Sequence, residues 1–505
     1  MSNYVRSFDK EFSALVASKS NTTVLIDEET GREFSWVKLD AMVLQVQRWL
    51  ACNEVKPGDV VLSLLPNSVE ALALFFACMR YGYGYAPLPP SSSTREIQQI
   101  CDMVSPALAV ILADADDRIA QVPTRPKTHV AQLDLAFAWA ASASHGNAVG
   151  SAMSGACGKL YMATSGSTGT PKLMVIDGNK LWSSGCAFVA ENPFLGADAC
   201  FYNIMPMSYL GGLFNLGLIP LACGGKVLVA PAFAGSTVLR FWQEVMRYGV
   251  TVLWLTPTML RSLVRVVGPR WSSIPTAGLK VSTTFLGTAP IDVEEKEAFE
   301  NIFGIPVLEN YGLSETTFIT AEKPADVVSR VQRSVGQVLP WVEMRLNESK
   351  IEVRTPFVID GYLGFDGKFL PVKSDDWFDT GDIGHMNGAT LVLDGRIRDV
   401  IKKGGILIHL PEVDALMRQY PHVVDVATVD VPHAFYGEDY GLFLVFDGEV
   451  AVSEAERLNR VRAYLTNNLV QTKWPSRIIS VKAIPRTRSG KVAKVELRKL
   501  FKEGQ

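Results

Sequence analysis

The chain has 505 residues, 48% of them apolar and 20% charged, with a formal net charge of −3. That length exceeds one ordinary hydrophobic core, and the apolar share excludes a disordered or fibrous chain. The near-balanced charge leaves no basic footprint of the kind nucleic acid selects. Seven cysteines, an odd number without a Cys-x-x-Cys pair, argue against a disulfide framework or a zinc site. They suit thiols kept in a reducing cytoplasm. The N-terminus lacks an apolar signal core, and the most apolar stretch, 213–231, is interrupted by Gly217, Pro220, Gly224, Gly225 and Lys226. It suits a buried helix, turn and strand rather than a membrane span.

In chain order, 60–65 reads as a strand and 68–79 as a helix capped by Ser68, followed by a strand at 108–112. The Ser-, Ala- and Gly-rich stretch 141–158 is the best linker of the N-terminal half. Strands at 159–163 and 173–176 flank a polar loop, and 226–230 is another strand. A helix over 237–248 leads into a strand at 251–254, and a short strand follows at 306–309. This alternation predicts stacked α/β layers with largely parallel sheets. Near residue 395 the character changes: a strand at 391–396 ends in a tight Asp394-Gly395 turn, then helices at 411–419 and 453–468 alternate with strands at 423–431 and 442–446. The reading is a large N-terminal domain, 1–395, and a small α+β domain, 396–505.

The loop 164–172 reads Thr-Ser-Gly-Ser-Thr-Gly-Thr-Pro-Lys. Small residues let main-chain N–H groups approach a ligand, hydroxyls add donors, and Lys172 adds charge, which together make a triphosphate cradle. The commoner phosphate loop needs Gly-x-x-x-x-Gly-Lys-Ser/Thr, which this segment does not follow. Composition alone equally describes a surface linker. Tyr311, after the strand at 306–309, offers a face for a purine, and Glu315 a carboxylate for a hard cation such as Mg2+. Asp382, after Thr380-Gly381, suits both hydroxyls of a ribose, and Arg396 can reach ribose or phosphate. The cationic segment 485–491 ends in Lys491. Singly, each also fits an ordinary turn, a packed tyrosine or solvated charge.

In order and spacing, these segments resemble the adenylate-forming superfamily of acyl- and aryl-CoA ligases, firefly-type luciferases and peptide-synthetase adenylation domains. The resemblance covers essentially the whole chain. It implies a large N-terminal domain of stacked αβ layers with a small β-barrel and a mobile α+β C-terminal domain. It assigns Ser165, Gly166, Ser167, Thr168, Gly169 and Lys172 to the phosphates, and Thr164 and Glu315 to Mg2+. Gly287, Ala289, Pro290, Asn310, Tyr311, Gly312 and Ser314 fall in its adenine and magnesium motifs, and Asp382 in its ribose motif, Thr380-Gly-Asp382. Gly395-Arg-Ile-Arg-Asp399 matches its hinge, with Arg398 at the pivot. Lys491 corresponds to its catalytic lysine, and Lys403, Gly404 and Gly405 to the turn lining the pantetheine tunnel. The implied reaction joins a carboxylate to the α-phosphate of ATP and then transfers the acyl group to a thiol. Two anions must meet, and a lysine about 4 Å from a phosphate oxygen contributes roughly 4 kcal/mol at an effective dielectric near 20.

Tyr209, Gly211 and Gly212 occupy the segment at the mouth of the family's acyl pocket, with Tyr209 where many CoA ligases have His. Amino-acid-activating relatives carry an Asp here. None lies between residues 201 and 222, so an acid without an ammonium group is expected, aliphatic or aromatic. Other departures are Ser314 for the usual Thr, a missing Gly-Glu pair at 349–351, and Pro411 one residue late. The acceptor is expected from outside the chain, as coenzyme A or the phosphopantetheine of a separate acyl carrier protein. A luciferase-like monooxygenase and a non-catalytic relative are the lesser alternatives.

Overall fold

The computed structural model describes residues 4–111, 129–132, 157–164, 172–289, 291–396, 399–403, 406–433, 436–447, 453–469, 471–487 and 490–503. The fold is mixed α/β, and the chain divides into two compact units. The first comprises 1–330, 335–343 and 354–377; the second 331–334, 344–353 and 378–505.

The first unit contains two sheets. Parallel strands Thr23–Asp27, Lys226–Val229, Cys200–Asn203, Val252–Leu255, Thr283–Leu286 and Val307–Leu313 lie side by side in that order. Strands Val252–Leu255 and Thr283–Leu286 are buried throughout, as expected of short apolar runs in a parallel sheet covered on both faces. Thr317–Ala321 then turns back antiparallel to Val307–Leu313. The second sheet holds Val60–Ser63, Gly84–Pro87 and Leu108–Ile111 in parallel, joined to the hairpin of Lys159–Thr164 and Lys172–Asp177. Ser68 caps the helix Val69–Tyr81 by accepting from the Ala71 N–H, as its place before an apolar run requires. The apolar stretch after residue 210 becomes a π-helix, Gly211–Leu218, a short α-helix, Ile219–Ala222, and the strand Lys226–Val229. No described helix is long and apolar enough to cross a membrane.

The second unit pairs the hairpin Phe378–Asn387 and Thr390–Arg396 with Lys350–Arg354. It also contains a five-stranded sheet built on the long pair Val423–His433 and Gly437–Phe446. Helices Leu410–Arg418 and Glu454–Asn468 pack on that sheet through Leu410, Val413, Met417, Val461 and Leu465. Helix Lys494–Glu503 adds Leu497 and Phe501 to a second cluster with Phe443 and Ile484.

Three expectations are corrected. The helix over 237–248 is two short helices, Gly235–Val238 and Phe241–Arg247. Asp394-Gly395 is not a turn but lies inside Thr390–Arg396. Pairing there shifts from Ile383–Gly395 to Gly384–Leu393, a bulge that Gly395 accommodates at φ 145°. Likewise Tyr311 and Gly312 continue the strand Val307–Leu313, again across a register shift, and the reversal comes only after them. The small β-barrel is not confirmed: described strands of this region run Glu343–Asn347, Lys350–Arg354, Phe378–Asn387, Thr390–Arg396 in open order.

Candidate active site

In the first unit, Thr164 and Lys172 stand opposite each other as the last pair of an antiparallel ladder. The two ends of the hydroxyl- and glycine-rich segment are therefore pinned together. Ser165, Gly166, Ser167, Thr168 and Gly169 lie outside the described residues. Lys172 is exposed at the mouth, and Leu173 to Ile176 behind it are buried.

That hairpin has a neighbour the sequence did not advertise. Strand Gly361–Leu363 pairs with it, Leu363 opposite Leu173 and Tyr362 opposite Met174. The Tyr362 hydroxyl donates to Glu315 Oε1 at 3.1 Å, and the Ile359 N–H donates to the Glu315 carbonyl at 2.9 Å. The carboxylate turn is thus tied to the strand beside the one that begins at Lys172. Burial, and then the charge of Glu315, push the Tyr362 phenol above its usual range, so it stays a donor at neutral pH.

Gly287 follows the strand Thr283–Leu286, and Asn310 lies beside it. A Cβ on Gly287 would sit 2.8 Å from Asn310 Oδ1, so glycine alone leaves that edge open. Asn310 is buried, and its Nδ2 has no hydrogen-bond partner among the described residues. An orphaned buried donor at the carboxyl end of parallel strands fits a ring nitrogen of a purine. Tyr311 is buried next to it, and Ala289 and Ser314 are exposed. Pro290 lies outside the described residues. Gly312 is forced by packing, since a Cβ there would lie 1.8 Å from the Thr317 carbonyl oxygen.

Beneath Asn310 runs a buried chain of charges. Lys296 Nζ contacts Glu309 Oε2 at 2.8 Å and Glu322 Oε1 at 3.0 Å. Arg330 continues it to Glu322 at 3.2 Å and Glu300 at 2.9 Å, and donates to the Val307 carbonyl. Burial, opposed by Lys296, pushes the Glu309 carboxyl up to about 7. The cluster fastens together the two strands that carry the Tyr311–Glu315 segment.

Tyr209 is half-buried, its N–H donating to the Pro206 carbonyl at 3.1 Å. Gly211 and Gly212 are explained first by contact: added Cβ atoms would meet Met205 Sδ at 2.5 Å and the Met205 and Pro206 carbonyls at 2.6 Å. They let a π-helix start directly against the preceding turn, an irregularity found frequently at functional sites.

In the second unit, Asp382 and Arg396 face each other across the hairpin, Arg396 Nε donating to Asp382 Oδ1 at 2.7 Å. Asp382 is buried, and its N–H donates to Thr380 Oγ1 at 3.1 Å while that hydroxyl donates to the Ile351 carbonyl at 2.7 Å. Gly381, at φ 70°, makes the intervening kink. Lys491 is exposed and follows a tight turn in which the Gly490 N–H donates to the Thr487 carbonyl at 2.8 Å. Arg486 anchors that turn to Asp425 at 2.8 Å. Lys403 is committed to Asp439 at 2.8 Å and to the Trp474 carbonyl at 2.7 Å. Arg398, Gly404 and Gly405 lie outside the described residues.

Two family models match the chain: "AMP-binding enzyme" over residues 12–367 and "AMP-binding enzyme C-terminal domain" over 412–491. The chain belongs to the AMP-binding enzyme family. Among curated relatives of this AMP-binding enzyme, an oxalate–CoA ligase of Arabidopsis thaliana is 26% identical over 87% of each chain. An indoleacetate–CoA ligase of Aromatoleum aromaticum is 28% identical over 93% of each chain. Among solved structures, ATP-bound MatB from Rhodopseudomonas palustris superposes with a TM-score of 0.84 at 26% identity, covering 97% of this chain and 98% of MatB.

Proposed function

We propose that this AMP-binding enzyme joins a carboxylic acid to the thiol of coenzyme A through an acyl-adenylate. Its class is that of the AMP-forming acid–CoA ligases, acting on a small-molecule carboxylic acid with ATP, Mg2+ and coenzyme A. In the first step an oxygen of the acid bonds to the α-phosphorus of ATP. The bond from that phosphorus to pyrophosphate breaks, and pyrophosphate leaves with the electron pair. In the second, the thiol loses its proton, its sulfur bonds to the acyl carbon, and AMP departs.

The single observation that carries the reading is the strand pairing that ties Glu315, through Tyr362, to the hairpin ending at Thr164 and Lys172. Phosphates in that loop and a cation on Glu315 then share one neighbourhood, with Asn310, Tyr311 and Gly287 beside it for the base. Glu315 and Thr164 would hold Mg2+, which when bound neutralises phosphate charge. Asp382 accepts from the ribose hydroxyls, and Arg396 steadies Asp382. Lys491 neutralises the carboxylate and the α-phosphate as they meet. Residues 1–395 bind ATP and acid. Residues 396–505 bring Lys491, pivot at Arg398, and form the thiol channel at Lys403, Gly404 and Gly405. Because Lys403 is ion-paired with Asp439, it shapes that channel rather than binding the incoming thiol. Tyr209, Gly211 and Gly212 line the entrance for an aliphatic or aromatic acid without an ammonium group. A cytoplasmic site of action is part of this reading, supported by seven unpaired thiols.

The test is acid-dependent exchange of pyrophosphate into ATP over a panel of acids, followed by mass detection of the thioester on adding coenzyme A. Exchange with at least one acid and a coenzyme A thioester of that acid are expected. Absence of exchange across aryl, short-chain and medium-chain acids overturns the proposal.

A further inference from the structure

Glu315 is held at its main chain by Ile359 and at its side chain by Tyr362, three residues further along the same segment. The Ile359 N–H takes its carbonyl and the Tyr362 hydroxyl takes Oε1. Those residues are themselves fixed. The Asp360 N–H donates to the Val175 carbonyl at 2.8 Å, and the Asp360 carboxylate receives Lys180 at 2.8 Å and Lys159 at 3.2 Å. Lys180 also donates to the Val358 carbonyl at 3.1 Å. Tyr362 is paired on both sides, with Met174 and with Leu370. A glutamate on an exposed turn ordinarily samples several rotamers. Holding one carboxylate oxygen from a strand that is locked in this way narrows the rotamers open to the group and so the directions in which Oε2 can point.

We propose that Tyr362 is a positioning residue that orients Glu315 toward the Mg2+ of bound ATP, with Asp360 as its anchor. The inference rests on the reading that Glu315 holds this cation. Outer partners of metal-binding carboxylates typically contribute about 10–100-fold in metal affinity.

The experiment is calorimetric titration of ATP into the full chain, with Mg2+ and with EDTA, for wild type, Tyr362→Phe and Glu315→Gln. Thermal melting and Mg2+ titration of pyrophosphate exchange are run in parallel. Tyr362→Phe is expected to reduce the gain in ATP affinity that Mg2+ confers by roughly 10-fold or more, leaving metal-free ATP affinity and the melting temperature unchanged. Its exchange rate recovers at high Mg2+. Equal losses with and without Mg2+ would make Tyr362 merely structural and overturn the proposal, as would an unaltered Mg2+ dependence. Glu315→Gln separates the two failures. If it abolishes the Mg2+ increment while Tyr362→Phe does nothing, the positioning role alone fails. If it leaves the increment intact, the reading of Glu315 as the cation's ligand fails.

Discussion

Lys296 and Lys491 place positive charge by opposite means. Lys296, in the first unit, is 1% exposed and held between two buried carboxylates. Lys491, in the second, is exposed beside a backbone turn and fixed at its main chain, where its carbonyl accepts from the Thr487 N–H at 2.7 Å. A charge buried among partners is part of the scaffold, because removing it strands the groups it neutralised. A charge displayed at the surface contributes little to folding. The contrast predicts that the two lysines separate stability from rate.

Lys296→Met breaks the comparison hardest. It keeps most of the apolar stem of the side chain but leaves Glu309 and Glu322 buried without their shared cation. A loss of about 3–5 kcal/mol is expected, read as a shift of the urea midpoint with unchanged slope. A variant as stable as wild type would mean that Arg330 alone supports the cluster.

Lys491→Ala is the mirror experiment. Pyrophosphate exchange should fall about 10²–10³-fold, with the urea midpoint unchanged and thioester formation from supplied acyl-adenylate retained. Equal loss of both half-reactions would contradict the assigned role.

Asp382→Asn probes the second unit's other anchor. It retains the shape but weakens a charge-assisted bond of the class that contributes about 1.5–3 kcal/mol. The KM for ATP should rise about 10-fold or more, taking 1.36 kcal/mol per factor of ten, and the KM for the acid should not change. A shift in the acid's KM alone would move Asp382 out of the nucleotide site.

What the sequence made legible follows from how local each signal is. The strands at 159–163 and 173–176, the Ser68 cap and the helices of the second unit are written in contiguous residues, and they form where expected. Asp394-Gly395 and Tyr311-Gly312 misled because glycine serves bulges as readily as turns, and only the partner strand distinguishes the two. Tyr362 and Lys296 gave no signal. Their roles depend on Glu315, Glu309 and Glu322, groups brought near by sheet pairing rather than by chain order. For Gly211 and Gly212 the sequence indicated a place at the mouth of the family's acyl pocket, and only the fold adds that Met205 and Pro206 pack against them.

The smallest effect sharpens the view of the buried cluster. Glu309 has its carboxyl raised from 4.5 to about 7, first by burial, then against the pull of Lys296 and with the repulsion of Glu322. Between those two values the folded chain binds more of this proton than the unfolded chain does. Its contribution to stability is therefore fullest below pH 4.5 and is lost as pH rises toward 7. Glu309→Gln keeps the shape and cannot titrate, so the variant's stability relative to wild type should improve steadily from pH 5 to pH 7. Urea denaturation of both proteins across that range reads the difference directly. A constant gap would show that Glu309 is ionised throughout, with Lys296 outweighing burial, and the cluster would then be a fully charged network rather than one that shares a proton.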